Sequence, residues 1–225
     1  MRTFYYRKGQ PHIQPIGATY SVTMLVHDAV PKQLVDELSE KRRNAILSID
    51  LDGEGDKARR KSKTYSHFEK ELENLLQRRC QQENPFRIPL AAVTFLEHLK
   101  KYDGLYYHLD AAIVMQNHVH LILDLGKQLP ENWDGISDPP NYVPLAKVIG
   151  QIKGGSAYDI NKALDRKGTL WSKGYYDRYI RSPKHYQAAV WYTLRNAEKA
   201  GLVTKWDEYP FVYVGPGILD RIKWG

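Results

Sequence analysis

The chain has 225 residues, 42% hydrophobic and 26% charged, a balance that fits one globular domain, or one with an inserted piece, and excludes a disordered or fibrous chain. Its 33 Lys and Arg against 26 Asp and Glu leave a net charge of +7, which suits a polyanionic partner because basic surfaces bind phosphate backbones by releasing counterions. The one cysteine, Cys80, excludes an internal disulfide or a Cys-rich zinc framework, and it reads as a buried, inert thiol in a helix.

No apolar run reaches the length of a membrane span, and MRTFYYRKGQ at the start lacks the apolar core of a signal peptide. A cytoplasmic protein with no membrane partner is therefore expected.

In chain order, ATYSVTMLV at 18–26 alternates and is rich in β-formers, so a strand is expected. Pro31 stands where a helix begins, and KQLVDELSEKRRNAIL follows with helical apolar spacing. The polar, glycine-containing segment 50–63, DLDGEGDKARRKSK, reads as a solvated loop. Helices are expected over 65–82 and 89–100. The stretch 106–125, YYHLDAAIVMQNHVHLILDL, is the most β-like in the chain, with Gln116 and Asn117 as a turn between two paired strands. Residues 129–144 read as irregular. Helical spacing resumes over 145–164, where Gly154 and Gly155 should weaken or bend it. YYDRYI at 175–180 is a short strand. Ser182 is an N-cap, Pro183 a first helical residue, and the helix runs to about Ala200 with Gly201 as its stop. The tail, 204–225, reads as extended chain.

Alternating strands and helices of mixed length imply an α+β fold, a small sheet covered by helices on one face. A single domain over 1–225 is expected, with a helical insertion around 32–100.

In HVHLILD, Val119, Leu121, Leu123 and Leu125 point to one face and form a core side, so His118, His120, Ile122 and Asp124 point to the other. Two imidazoles at i and i+2 on one strand face stand close enough to share one metal ion. The plain alternative is two polar residues on a solvated face. Ile122 stands where a His-x-His-x-His hydrolase would have its third histidine. On the helix 183–200, Tyr186, Val190, Thr193, Ala197 and Ala200 make the buried stripe. Tyr192 and Asn196 lie one turn apart on its flank, and Arg195 and Lys199 lie toward solvent. By spacing alone Tyr192 is one of 16 tyrosines, with a core-edge role as the plain reading.

NHVHLIL at 117–123, followed about fifty residues later by LWSKGYYDRYIRSPKHYQAAVWYTLRNAEKAGLV at 170–203, resembles the REP-associated tyrosine transposases, which are single-tyrosine HUH transposases. The likeness covers the strand near Ala18, the histidine strand, and nearly everything from Leu145 to about Phe211. It implies a ferredoxin-like or RRM-like antiparallel sheet with the histidines on a central strand. It also implies that His118 and His120 ligate a divalent metal, Mg²⁺ or Mn²⁺, that Asn196 is a third ligand, and that Tyr192 is the nucleophile. The implied activity is nicking and strand transfer of single-stranded, hairpin-containing DNA in transposition, through a 5′-phosphotyrosine link, with no small-molecule substrate. A monomer or a homodimer fits such an enzyme.

Three departures stand out. Ala197 follows Asn196 where the family often has proline, Gln116-Asn117 precedes His118 where it often has proline, and the segment from about Lys32 to Pro85 is longer than usual.

Single strands bind basic grooves with aromatic stacking. Lys147, Lys153, Lys162, Arg166, Lys167, Lys173 and Arg178 form, as a group, a candidate path, with Trp171, Tyr175 and Tyr176 nearby; taken singly, Trp171 reads as core and most of the lysines as surface charges. Arg195 and Lys199 are candidate phosphate partners. The competing readings are a nucleic-acid-binding module that kept the fold without activity, a relaxase-type or replication-initiator nickase, and a metal-dependent phosphohydrolase without a covalent step.

Overall fold

The computed structural model describes residues 3–6, 12–52, 56–78 and 84–222. The expectations for Cys80, for the end of the helix over 65–82 and for the last three residues of the tail lie outside these. The chain divides into two compact units, one made of residues 1–26 and 84–225, the other of 27–83.

The larger unit opens with a two-stranded antiparallel ribbon, β1 (Thr3–Tyr6) and β2 (His12–Pro15), which the sequence reading did not mark. Then come β3 (Thr19–Leu25), β4 (His108–Val114), β5 (His118–Asp124), β6 (Tyr176–Tyr179) and β7 (Val212–Val214). These five form one antiparallel sheet in the order β6-β3-β5-β4-β7. Strands β3 and β4 both run antiparallel to β5, so they are parallel to each other and need a crossover. The same holds for β5 and β6 about β3. Two interleaved β-α-β crossovers of this kind make the ferredoxin-like arrangement. Right-handed crossovers place both connecting helices, α3 (Pro89–Lys100) and α4 (Leu145–Ala163), on the same face.

Helix α4 runs unbroken through Gly154 and Gly155, where a bend was expected. Gly155 has a packing reason: a Cβ there would overlap the His98 imidazole on α3. His98 is buried and bonds Asp159 on α4 at 2.7 Å, which ties the two helices together.

The opposite face carries α5 (Pro183–Leu194). Its Val190 and Leu194 pack on Ala111 of β4 and Ile122 of β5. Ser182 caps it as expected, its hydroxyl accepting from the His185 amide at 3.2 Å. The helix expected to reach Ala200 is interrupted at Arg195, whose ψ of 11° departs from helical geometry, and resumes as the single turn α6 (Asn196–Lys199). Gly201 then ends it at φ +69°, the left-handed conformation glycine tolerates best. Both faces of β5 are buried from His118 through Leu123. The tail holds a 3₁₀ turn, strand β7 beside β4, and a last turn α7 (Ile218–Arg221).

The smaller unit is a hairpin of α1 (Lys32–Leu51) and α2 (Lys57–Arg78). Leu38, Ile46 and Ile49 of α1 and Phe68, Leu72 and Leu76 of α2 are buried, and the Arg42 guanidinium lies 4.2 Å from the Phe68 ring centre. The loop expected over 50–63 is mostly helix. Asp56 accepts from the Arg59 amide at 3.0 Å and so starts α2, and Lys, Arg and Ala then propagate it. Arg60 and Lys61 pair with Asp52 and Asp50 at the tip. Opposite charges that look like loop composition in sequence thus brace two helix ends.

Candidate metal centre and tyrosine helix

His118 and His120 project from β5 on the α5 face, as the alternation requires, but they are buried rather than solvated, at 0% and 4% exposure. Their Nε2 atoms lie 3.1 Å apart, with the ring planes at 80°. Each Nδ1 has a partner on the other side. His118 Nδ1 lies 2.8 Å from the Asn117 Oδ1, and His120 Nδ1 lies 2.8 Å from the hydroxyl of Thr23, its register partner on β3. Hydrogen bonds behind the rings leave the two Nε2 atoms turned toward a common point, an arrangement that can bind a divalent metal ion.

Helix α5 brings Tyr192 to this pair. The Tyr192 ring stands edge-on to His120 with centroids 5.5 Å apart, and it is half-buried. The Lys199 ammonium lies 4.1 Å from the Tyr192 ring centre, within cation–π range. Arg195 is engaged elsewhere, donating to Glu198 at 2.7 Å, and Glu198 also accepts from the Trp206 amide at 2.8 Å. Asn196 is fully buried, more so than its expected place on the flank. Both atoms of its amide lack a hydrogen-bond partner among the described residues. Burying such a group unpaired costs on the order of 1–3 kcal/mol.

The expected strand path divides under inspection. Lys147, Lys162, Lys167 and Lys173 are exposed. Lys153 is half-buried and donates to the Ser172 and Gly174 carbonyls at 2.5 and 2.6 Å, fastening the segment before β6. Burial draws its ammonium down to about 8. Arg166 bonds Asn161 at 2.5 Å and the Thr169 carbonyl at 3.4 Å, closing the turn after α4. Trp171 is buried beside Phe86 and Phe95, with its indole donating to Ser156 at 3.0 Å, so it is core and no stacking platform. The Tyr175 hydroxyl accepts from Gln14.

Tyr176 and Arg178 of β6 do face the histidine side. Tyr176 pairs with Thr23, which pairs with His120, and Arg178 pairs with Ser21, which pairs with Ile122.

Thr23 and Asn117 were not singled out from sequence as site residues. Thr23 could have been found only by placing β3 beside β5 in the right register. Asn117 was visible as a departure before His118, without its side-chain contact.

No protein-family model matches the chain, and no curated protein matches it. A solved structure of a REP-associated tyrosine transposase bound to a REP hairpin is similar at 18% identity over 94% of this chain and 82% of that one, with a TM-score of 0.40. At that level the likeness says nothing about activity. No helix among the described residues is long and apolar enough to cross a membrane.

Proposed function

We propose that this protein is a metal-dependent single-stranded DNA endonuclease and strand transferase that uses Tyr192 as its nucleophile. The observation that carries the reading is the meeting of Tyr192 with a convergent histidine pair across two separate elements, α5 and β5. His118 and His120 would hold the ion through Nε2, and the buried, unpaired amide of Asn196 fits a third ligand. A divalent ion there, Mg²⁺ or Mn²⁺, would polarise the scissile phosphate and stabilise the charge that builds on it.

The Tyr192 oxygen attacks phosphorus, the bond from phosphorus to the 3′ oxygen breaks, and the strand leaves with a free 3′-OH. The phenolic proton goes to solvent or to the leaving oxygen. The resulting 5′-phosphotyrosine conserves the phosphodiester bond energy, so a second 3′-OH can reverse the step and join new strands. Lys199 would hold the ring in place, and Tyr176 and Arg178, on the histidine side of the sheet, would receive the strand. Hairpin-containing DNA, of the kind mobilised in transposition, is the proposed substrate.

The test is covalent capture. Incubated with labelled single-stranded hairpin DNA and Mn²⁺, the wild type should give an adduct that survives denaturing electrophoresis. Tyr192→Phe should give none, and chelation should abolish the adduct without shifting the melting temperature by more than the bound ion accounts for. An adduct in Tyr192→Phe would remove Tyr192 from the role. Binding without cleavage across a hairpin library would leave a nucleic-acid-binding module.

A further inference from the structure

Asn117 is fastened on two sides. Its backbone carbonyl accepts from the Val26 amide at 3.0 Å, its side-chain oxygen meets His118 Nδ1 at 2.8 Å, and it is 2% exposed. An amide oxygen only accepts hydrogen bonds, so His118 Nδ1 carries the proton, and in the neutral imidazole His118 Nε2 then presents a bare lone pair. Thr23 differs, because a hydroxyl can donate or accept. Its 2.8 Å contact therefore orients the His120 ring without dictating which nitrogen holds the proton. The asymmetry matters at the 3.1 Å gap between the two Nε2 atoms. Two bare lone pairs at that distance repel, so with both rings neutral and the His118 proton on Nδ1, a cation shared by both or a proton on His120 Nε2 suits the gap. With Thr23 behind it, His120 can serve in either arrangement with no net gain or loss of protons.

We propose that Asn117 and Thr23 are the positioning residues of the histidine pair: Asn117 holds His118 with its proton on Nδ1 and its Nε2 toward the ion, and Thr23 aims His120 at the same point while allowing either tautomer. The proposal rests on the metal-centre reading above.

Four variants separate this role from plain structural support. Asn117→Leu and Thr23→Val keep size and remove the polar group, and Asn117→Asp and Thr23→Ser keep an acceptor or hydroxyl. Mn²⁺ affinity is measured directly, by the loss of the free-ion electron paramagnetic resonance signal, with His118→Ala as the control. Imidazole ¹⁵N shifts report the tautomers, and thermal melting in chelator reports folding.

Asn117→Leu and Thr23→Val should each weaken Mn²⁺ binding by roughly 10–100-fold, the usual effect of removing a partner behind a ligating histidine. Asn117→Asp and Thr23→Ser should bind close to wild type, and His118 should show a protonated Nδ1 and bare Nε2 only where the side chain before it offers an acceptor. Mn²⁺ affinity within twofold of wild type in both Asn117→Leu and Thr23→Val, with His118→Ala impaired, would overturn the positioning role and leave the metal centre standing. Equal Mn²⁺ binding in wild type and His118→Ala would overturn both.

Discussion

Tyr192 is distinguished from the other tyrosines by what surrounds its ring. His120 meets it edge-on, and the Lys199 ammonium sits 4.1 Å from its centre. A cation–π contact of this kind contributes about 0.5–1 kcal/mol at a partly exposed site. Lys199→Met should therefore slow adduct formation by about two- to fivefold, and Lys199→Arg, which keeps a cation for the ring, should recover most of the rate. Single-turnover kinetics on a saturating hairpin substrate checks this. A loss of hairpin affinity in place of the rate would reassign Lys199 to strand binding. At the same scale, Trp171 takes the core place that was the favoured reading for it, its indole donating to Ser156, and the Lys153 ammonium is engaged by two backbone carbonyls.

At the level of elements, α4 and the segment that follows it depend on Lys153. Its pKa falls to about 8 in the folded protein because burial disfavours the charged form. In the unfolded chain a lysine titrates near ~10.4. Between about pH 8 and 9.5 the unfolded chain thus binds more protons than the folded one, and stability rises with pH through that window. Lys153→Met should remove this rise, even if it lowers stability at every pH by losing two hydrogen bonds. Urea midpoints at pH 7.5 and 9.5 test it, and a slope that survives the substitution would place its origin elsewhere. Helix α5 shows a related dependence on its ends. Ser182 fixes where it starts, and the break at Arg195 rather than a continuous helix sets the direction in which Asn196 leaves it.

Across the molecule, buried phenols set an upper pH limit. Tyr20 and Tyr107 are almost fully buried and Tyr186 is half-buried, and desolvation pushes all three well above the ordinary tyrosine range. The Tyr186 hydroxyl also donates to Asp110 at 2.7 Å, and burial raises the Asp110 carboxyl above its ordinary range. Folded-state values above the unfolded value of ~10 give stability that is present below pH 10 and lost as pH rises beyond it. Alkaline titration followed by phenolate absorbance should show a set of tyrosines that ionise only together with the loss of helical circular dichroism. Complete phenolate formation ahead of unfolding would contradict the burial argument.

Much of this protein was legible without coordinates because its signals are local. Strand alternation gave His118 and His120 their common face, β-propensity with a two-residue turn gave the β4–β5 hairpin, Ser182 and Pro183 marked the start of the tyrosine helix, and Gly201 marked the end of the α6 turn that follows its break. The segment 57–63 misread for an equally local reason: charge density resembles a loop until Asp56 is seen capping it. Tertiary structure alone decided the rest. The order β6-β3-β5-β4-β7 puts Thr23 behind His120, the packing of α5 on Ile122 brings Tyr192 to the histidine side of the sheet, and the turn held by Val26 aims Asn117 at His118. Each of these pairs residues from strands or helices far apart in the chain, and periodicity gives the direction of a side chain but not its neighbour across the sheet.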